Sequence, residues 1–112
     1  MRLWIIASLA AVFGIVAVAF AKPAFVKDFA STYGVKKTTA LGKANCGACH
    51  IGMTAKLNPY GTDLKKAMGK EGTKNLTGSI LKKVEGLDSD KDGKSNLTEI
   101  RAGTLPGDAK SK

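Results

Sequence analysis

Cys46, Cys49 and His50 stand together in the run Cys46-Gly47-Ala48-Cys49-His50. Two thiols three positions apart lie on one side of a helical turn, where both can add to the two vinyl groups of one haem. The adjoining imidazole can then offer a nitrogen to the iron from the proximal side. These are the chain's only cysteines and its only histidine, which favours a single purpose for all three. Two other chemistries use the same residue types. A CxxC pair can be a redox dithiol or a structural disulfide, but a thioredoxin-type site belongs to a βαβ pattern that the chain lacks. A closed zinc site wants a fourth ligand, and no further Cys or His exists.

A second pattern runs from Asp88 to Glu99, "DSDKDGKSNLTE". It matches the twelve-position loop that wraps a calcium ion. Asp88, Asp90 and Asp92 take positions 1, 3 and 5. Gly93 takes position 6, where the chain must turn sharply. Lys94 supplies a backbone carbonyl at position 7, Asn96 acts directly or through water at position 9, and Glu99 closes the loop with both oxygens at position 12. Ser95 stands at position 8, where loops that pair with a second loop carry a branched apolar residue, so a paired sensor is disfavoured. Lys91 and Lys94 dilute the negative charge, which points to weak affinity, on the order of 10⁻⁴–10⁻³ M, and to a structural ion. The rival reading is a solvated acidic turn without metal.

The elements around these patterns read as helices. Phe25, Phe29 and Tyr33 recur every four residues, making an apolar face that ends at Gly34 and serves as core, as haem contact, or as both. Residues 35–44 read as a polar connection, with Asn45 a candidate N-cap for the motif turn. Residues 51–61 read as a loop with Asn58-Pro59 and Gly61 as turn signals, after which Thr62 would cap a short helix bearing Leu64, Ala67 and Met68. Leu76, Ile80, Leu81, Val84 and Leu87 hold helical spacing up to Gly86, and Leu97 to Ala102 form the helix after the acidic loop. The spacing predicts no strand and no repeat. The tail from Pro106 reads as frayed.

The chain has 112 residues, enough for one small domain, and 18 basic against 9 acidic residues, a net charge of +9. Residues Leu3 to Ala21 are almost wholly apolar, follow Arg2, and end in Ala19-Phe20-Ala21, the small-residue pattern of signal-peptide cleavage. Cleavage after Ala21 would leave a chain beginning Lys22-Pro23. An uncleaved membrane anchor is the alternative, since the run is just long enough to span a bilayer. Either way the rest is exported, into a periplasmic or similar compartment where haem is attached. The basic balance implies acidic partners met by electrostatic steering. Nucleic acid is disfavoured, because the lysines are dispersed and no aromatics interleave with them.

On the motif CGACH in an exported chain of this size, the sequence resembles the monohaem c-type cytochromes, over residues 25–70. The acidic loop resembles EF-hand and thrombospondin type 3-like calcium loops. The resemblance implies an all-α, small cytochrome c-like domain around one haem c, followed by a helix–calcium loop–helix segment. The expected divisions are 1–21 signal, 22–75 haem domain, 76–105 calcium segment and 106–112 polar tail. It implies one-electron transfer to an acidic redox partner, with no catalysis by the polypeptide. It also implies that "LNPYG", Leu57 to Gly61, shields His50, with a backbone carbonyl near Asn58 or Pro59 accepting the other ring proton. A distal methionine is usual in the family. Met68 is the candidate; Met53 lies too near His50 to cross to the other face. A lysine, the new N-terminus, a partner's side chain or an open position are the alternatives. An open position would make a haem enzyme or gas binder, and a haem-bearing subunit of a larger redox complex is a third reading.

Overall fold

Among the described residues, four helices start where a polar side chain, Thr39, Asn58, Thr77 or Ser95, caps the first turn. A computed structural model describes residues 23–52 and 54–112. The apolar N-terminal run, the cleavage expected after Ala21 and Met53 lie outside the described residues. Among the described residues the protein is all-α, with no strand, and no helix is long and apolar enough to cross a membrane.

Helix α1 spans Pro23–Tyr33, on the aromatic spacing read from the sequence. Helix α2, Ala40–Ala44, is capped by the Thr39 side chain, which accepts from Gly42 N. It falls in the stretch expected to be a polar connection, because one turn is too short for periodicity to register. A 3₁₀ turn, Asn45–Ala48, follows directly. Asn45 is not its N-cap. It ends α2 at φ 49°, and no side chain caps the turn.

Helix α3 spans Pro59–Glu71, with Asn58 as N-cap accepting from Gly61 N. The expected cap, Thr62, lies inside the helix and bonds back to the Asn58 carbonyl. Pro59 fits the first turn, where a missing N–H costs nothing, so the Asn-Pro pair begins a helix rather than a loop. Helix α4, Gly78–Val84, is capped by Thr77; it is shorter than the apolar spacing suggests, and Leu87 beyond it is exposed. Helix α5, Asn96–Ala102, is capped by Ser95 and ends at Gly103.

One apolar core joins these elements. Phe29 of α1, Leu41 of α2, Tyr60 and Leu64 of α3, Ile80, Leu81 and Val84 of α4, and Ile100 of α5 form a single cluster. The segment bearing the acidic loop is thus built into the same core as α1 and α3, with α4 packed on both. Full burial of side chains such as Ile80 and Leu81 contributes about 1.5–3 kcal/mol each. The tail is not frayed at its start: Pro106 is fully buried, and Gly107 lies so close to Asn58 that a Cβ there would overlap its side chain.

Gly61 marks a close approach of α3 to the motif turn. A Cβ there would overlap the Cys49 carbonyl, whereas one at Gly69 of the same helix meets nothing. Gly61→Ala should therefore destabilise by about 1–3 kcal/mol through overpacking, while Gly69→Ala should stabilise by about 0.5–1 kcal/mol through helix propensity. Urea denaturation of the two variants checks the opposite signs.

Candidate functional site

The 3₁₀ turn brings the motif residues together. Cys46 O accepts from Cys49 N at 3.2 Å and from His50 N at 2.9 Å, which folds both thiols and the imidazole around one turn. The segment then pairs back on the approach to α3 through an isolated bridge between His50 and Leu57. Asn58 fastens it. Its backbone N donates to Cys49 O at 2.9 Å. Its side-chain Nδ2 donates to Ala48 O at 3.0 Å and Gly47 O at 3.2 Å. Its Oδ1 accepts from Gly61 N at 2.9 Å.

Between this turn, α1 and α3 lies a cavity of about 410 Å³, within the size range of cofactor and ligand pockets. Cys46, Cys49 and His50 line it, with Phe25 and Phe29 from α1 and Leu64 and Met68 from α3. Phe25 and Phe29 thus serve as cavity wall, while Tyr33 turns to bond Glu85 at 2.9 Å. Among the described residues, the charged ones at the cavity are Lys65 and Lys74.

His50 is buried, and its Nδ1 has no hydrogen-bond partner. The carbonyl bond expected from the Asn58–Pro59 backbone is not made. The Asn58 carbonyl is already taken by Thr62, through N at 2.9 Å and Oγ1 at 3.0 Å. The proline places it in the first turn of α3, so Asn58 holds the motif by its amide instead. Cys46 and Cys49 are not joined to each other. Burial, and then the neighbouring Cys46, push the Cys49 thiol up to about 12.

The acidic loop brings together three of the residues that its spacing singles out. Asp88, Asp90 and Asp92 hold carboxylate oxygens within 4.8 Å of one another. Asp88 accepts from Asp92 N at 3.1 Å and from Gly93 N at 2.8 Å. Asp92 accepts from Lys94 N at 2.9 Å, the largest influence holding its carboxyl below the usual range. Glu99 is 1% exposed, and neither of its oxygens has a partner. Burial first, and then the adjoining Asp92 and Asp90, push its carboxyl up to about 8. Asp90 is likewise raised, chiefly by burial, and its Oδ2 is buried without a partner. A divalent cation would answer this donor set, in which hard oxygens converge.

Asn96 does not extend that set. It is fully buried, and its amide donates to Val84 O and Ser89 Oγ, both at 2.8 Å, while Oδ1 accepts from Ser89 N at 3.1 Å. The side chain at position 9 is spent bracing the loop against α4.

Sequence reasoning named Asn58 as a turn signal and backbone acceptor but missed the role of its side chain, and it missed Lys65 and Lys74. Only Asn58 carried a signal, as an Asn-Pro pair at a helix start. Comparison of the chain with models of protein families, with curated proteins and with solved structures finds no match.

Asn58→Ala removes a helix cap and strips two buried carbonyls of their donor. It should cost about 2–4 kcal/mol, against about 1 kcal/mol for the plain cap change Thr77→Ala. Equal losses in denaturant titrations would show that the bonds to Gly47 and Ala48 contribute nothing.

Proposed function

We propose that the protein is an exported one-electron carrier holding a single haem c. Cys46 and Cys49 would hold it through thioethers, His50 would be the proximal iron ligand, and Met68 the distal one. One observation carries this reading: both thiols, the sole imidazole and the Met68 thioether line the same apolar cavity. When bound, the haem supplies an iron centre that accepts and releases one electron without bond chemistry in the polypeptide.

The chain's own residues account for the rest. Phe25, Phe29, Leu57 and Leu64 give the cavity an apolar wall, which would shield one side of a bound haem from water. That would lower the local dielectric and favour the form of the iron with less positive charge. Lys65 and Lys74, with no acidic residue beside them in the lining, would face the two carboxylates that are a haem's only charged groups. The unpartnered Nδ1 of His50 leaves the imidazole free of any competing bond on that nitrogen. Met68 at the cavity wall favours a closed iron over the open position that a gas-binding protein or haem enzyme would need. The net charge of +9 would draw the carrier to an acidic face on its redox partner and make that encounter sensitive to salt. A calcium ion in the loop, held by Asp88, Asp90, Asp92, Glu99 and the Lys94 carbonyl, would act as a structural tie.

The protein, made with haem maturation, should show low-spin spectra in both oxidation states, unmoved by carbon monoxide when reduced. Met68→Ala should then convert it to a carbon monoxide-binding form. A wild-type protein without covalent haem would end the proposal, and a high-spin one would transfer it to the open-iron class.

Calcium at about 10 mM, some ten to a hundred times the affinity expected of such a loop, should add about 1.4–2.7 kcal/mol of stability. In a domain of this size that is a rise of about 5–15 °C in Tm. Glu99→Ala should abolish the rise.

A further inference from the structure

Two sets of hydrogen bonds lead from the acidic loop to the walls of the cavity. On one side, Ser89, at the second position of the loop, donates its hydroxyl to Asp63 Oδ2 of α3 at 2.6 Å. Asp63 directly precedes Leu64 and lies five residues before Met68, both of which line the cavity. Ser89 is itself held from behind by Asn96, through N to Oδ1 at 3.1 Å and Nδ2 to Oγ at 2.8 Å. On the other side, the Glu99 carbonyl accepts from Thr104 N at 2.9 Å and Thr104 Oγ1 at 3.2 Å. The adjoining Gly103 carbonyl accepts from Leu41 N of α2 at 2.9 Å. Helix α2 is followed directly in the chain by the turn that carries Cys46 and Cys49.

We infer that a divalent cation in the loop regulates the haem site, by fixing α3 through Ser89–Asp63 and the Cys46–His50 turn through Glu99 and α2. This rests on the carrier reading above. The loop qualifies as a cation site on two observations: three converging aspartates, and a buried Glu99 with both oxygens unpartnered against them. Without the ion, Asp88, Asp90 and Asp92 repel one another across the loop and Glu99 is left buried with both oxygens unpaired, so the loop and the two ties it anchors loosen. With the ion, Asp88, Asp90 and Asp92 are drawn toward Glu99 and Ser89 is held between Asn96 and Asp63. The cation thereby favours the conformation in which Met68 stays at the cavity. Linkage requires the converse: calcium affinity must differ between oxidised and reduced protein by the factor by which calcium shifts the redox equilibrium.

The test uses the haem-loaded protein, first stripped with chelator and then given calcium, with uptake measured by calorimetry. Removing calcium should let the reduced form, closed to carbon monoxide when calcium is bound, bind it, and should speed amide exchange over residues 64–68 by about tenfold. Ser89→Ala and Asp63→Ala should retain calcium affinity within about threefold yet lose most of both effects. Calcium uptake with no change in either readout would overturn the inference, as would both variants keeping the full response. No uptake at about 10 mM calcium would overturn it at the loop. A purified protein without covalent haem would overturn the carrier reading itself, and that is visible before calcium is added.

Discussion

The seam between the start of α3 and the Cys46–His50 turn is the contact on which the rest of the structure depends. Asn58 closes it with four hydrogen bonds, one end of its amide capping the helix and the other holding two carbonyls of the turn. Gly61 permits it, since any side chain there would strike the Cys49 carbonyl. Because the helix is seated this closely, Leu64 and Met68 further along it reach the cavity that the thiols and the imidazole line. Gly107 folds over the same asparagine, so the C-terminal segment covers the seam and keeps water from competing for its bonds.

Buried polar groups in folded proteins are nearly always paired, which gives the unpaired ones here their interest. His50 Nδ1 and the two oxygens of Glu99 are sealed without partners, and each belongs to a cluster whose residue types suit a ligand: soft sulfur and imidazole in one, hard oxygen in the other. An unmatched buried carboxylate would ordinarily count heavily against a fold. Glu99 is kept there by the helix it sits on, since α5 is anchored by Ile100 in the core. The Tyr60 hydroxyl is also buried and unpartnered; its ring packs edge-on against Phe29 at 6.1 Å, and that packing accounts for the position of the ring but not of the hydroxyl.

The core ties both clusters into one unit. Helix α4 stands between α1, α3 and the acidic loop, and its residues Ile80, Leu81 and Val84 belong to the same apolar cluster as Phe29 and Leu64. The sequence suggests a haem domain with a calcium segment attached. Hydrophobic periodicity shows which face of a helix is buried, but it carries no information about which other helix buries it.

What could be read in the chain was what depends on near neighbours. The all-α class, the course of α1, the CxxCH turn and the twelve-residue acidic loop rest on spacings of two to twelve residues, where backbone geometry alone brings side chains together. The misreadings all involve distant partners or short elements. Asn45 was a plausible cap by type but adopts φ 49° at the end of a helix too short to register. Thr62 lost its place to Asn58, whose amide is chosen by carbonyls ten and eleven residues away. Asn96 suits a metal by type, yet Val84 and Ser89 claim its side chain. The sequence by itself determined the donors and their local order. Only the tertiary structure decided which donors remain unpartnered and which face one cavity, because burial and close packing are properties of the assembled core.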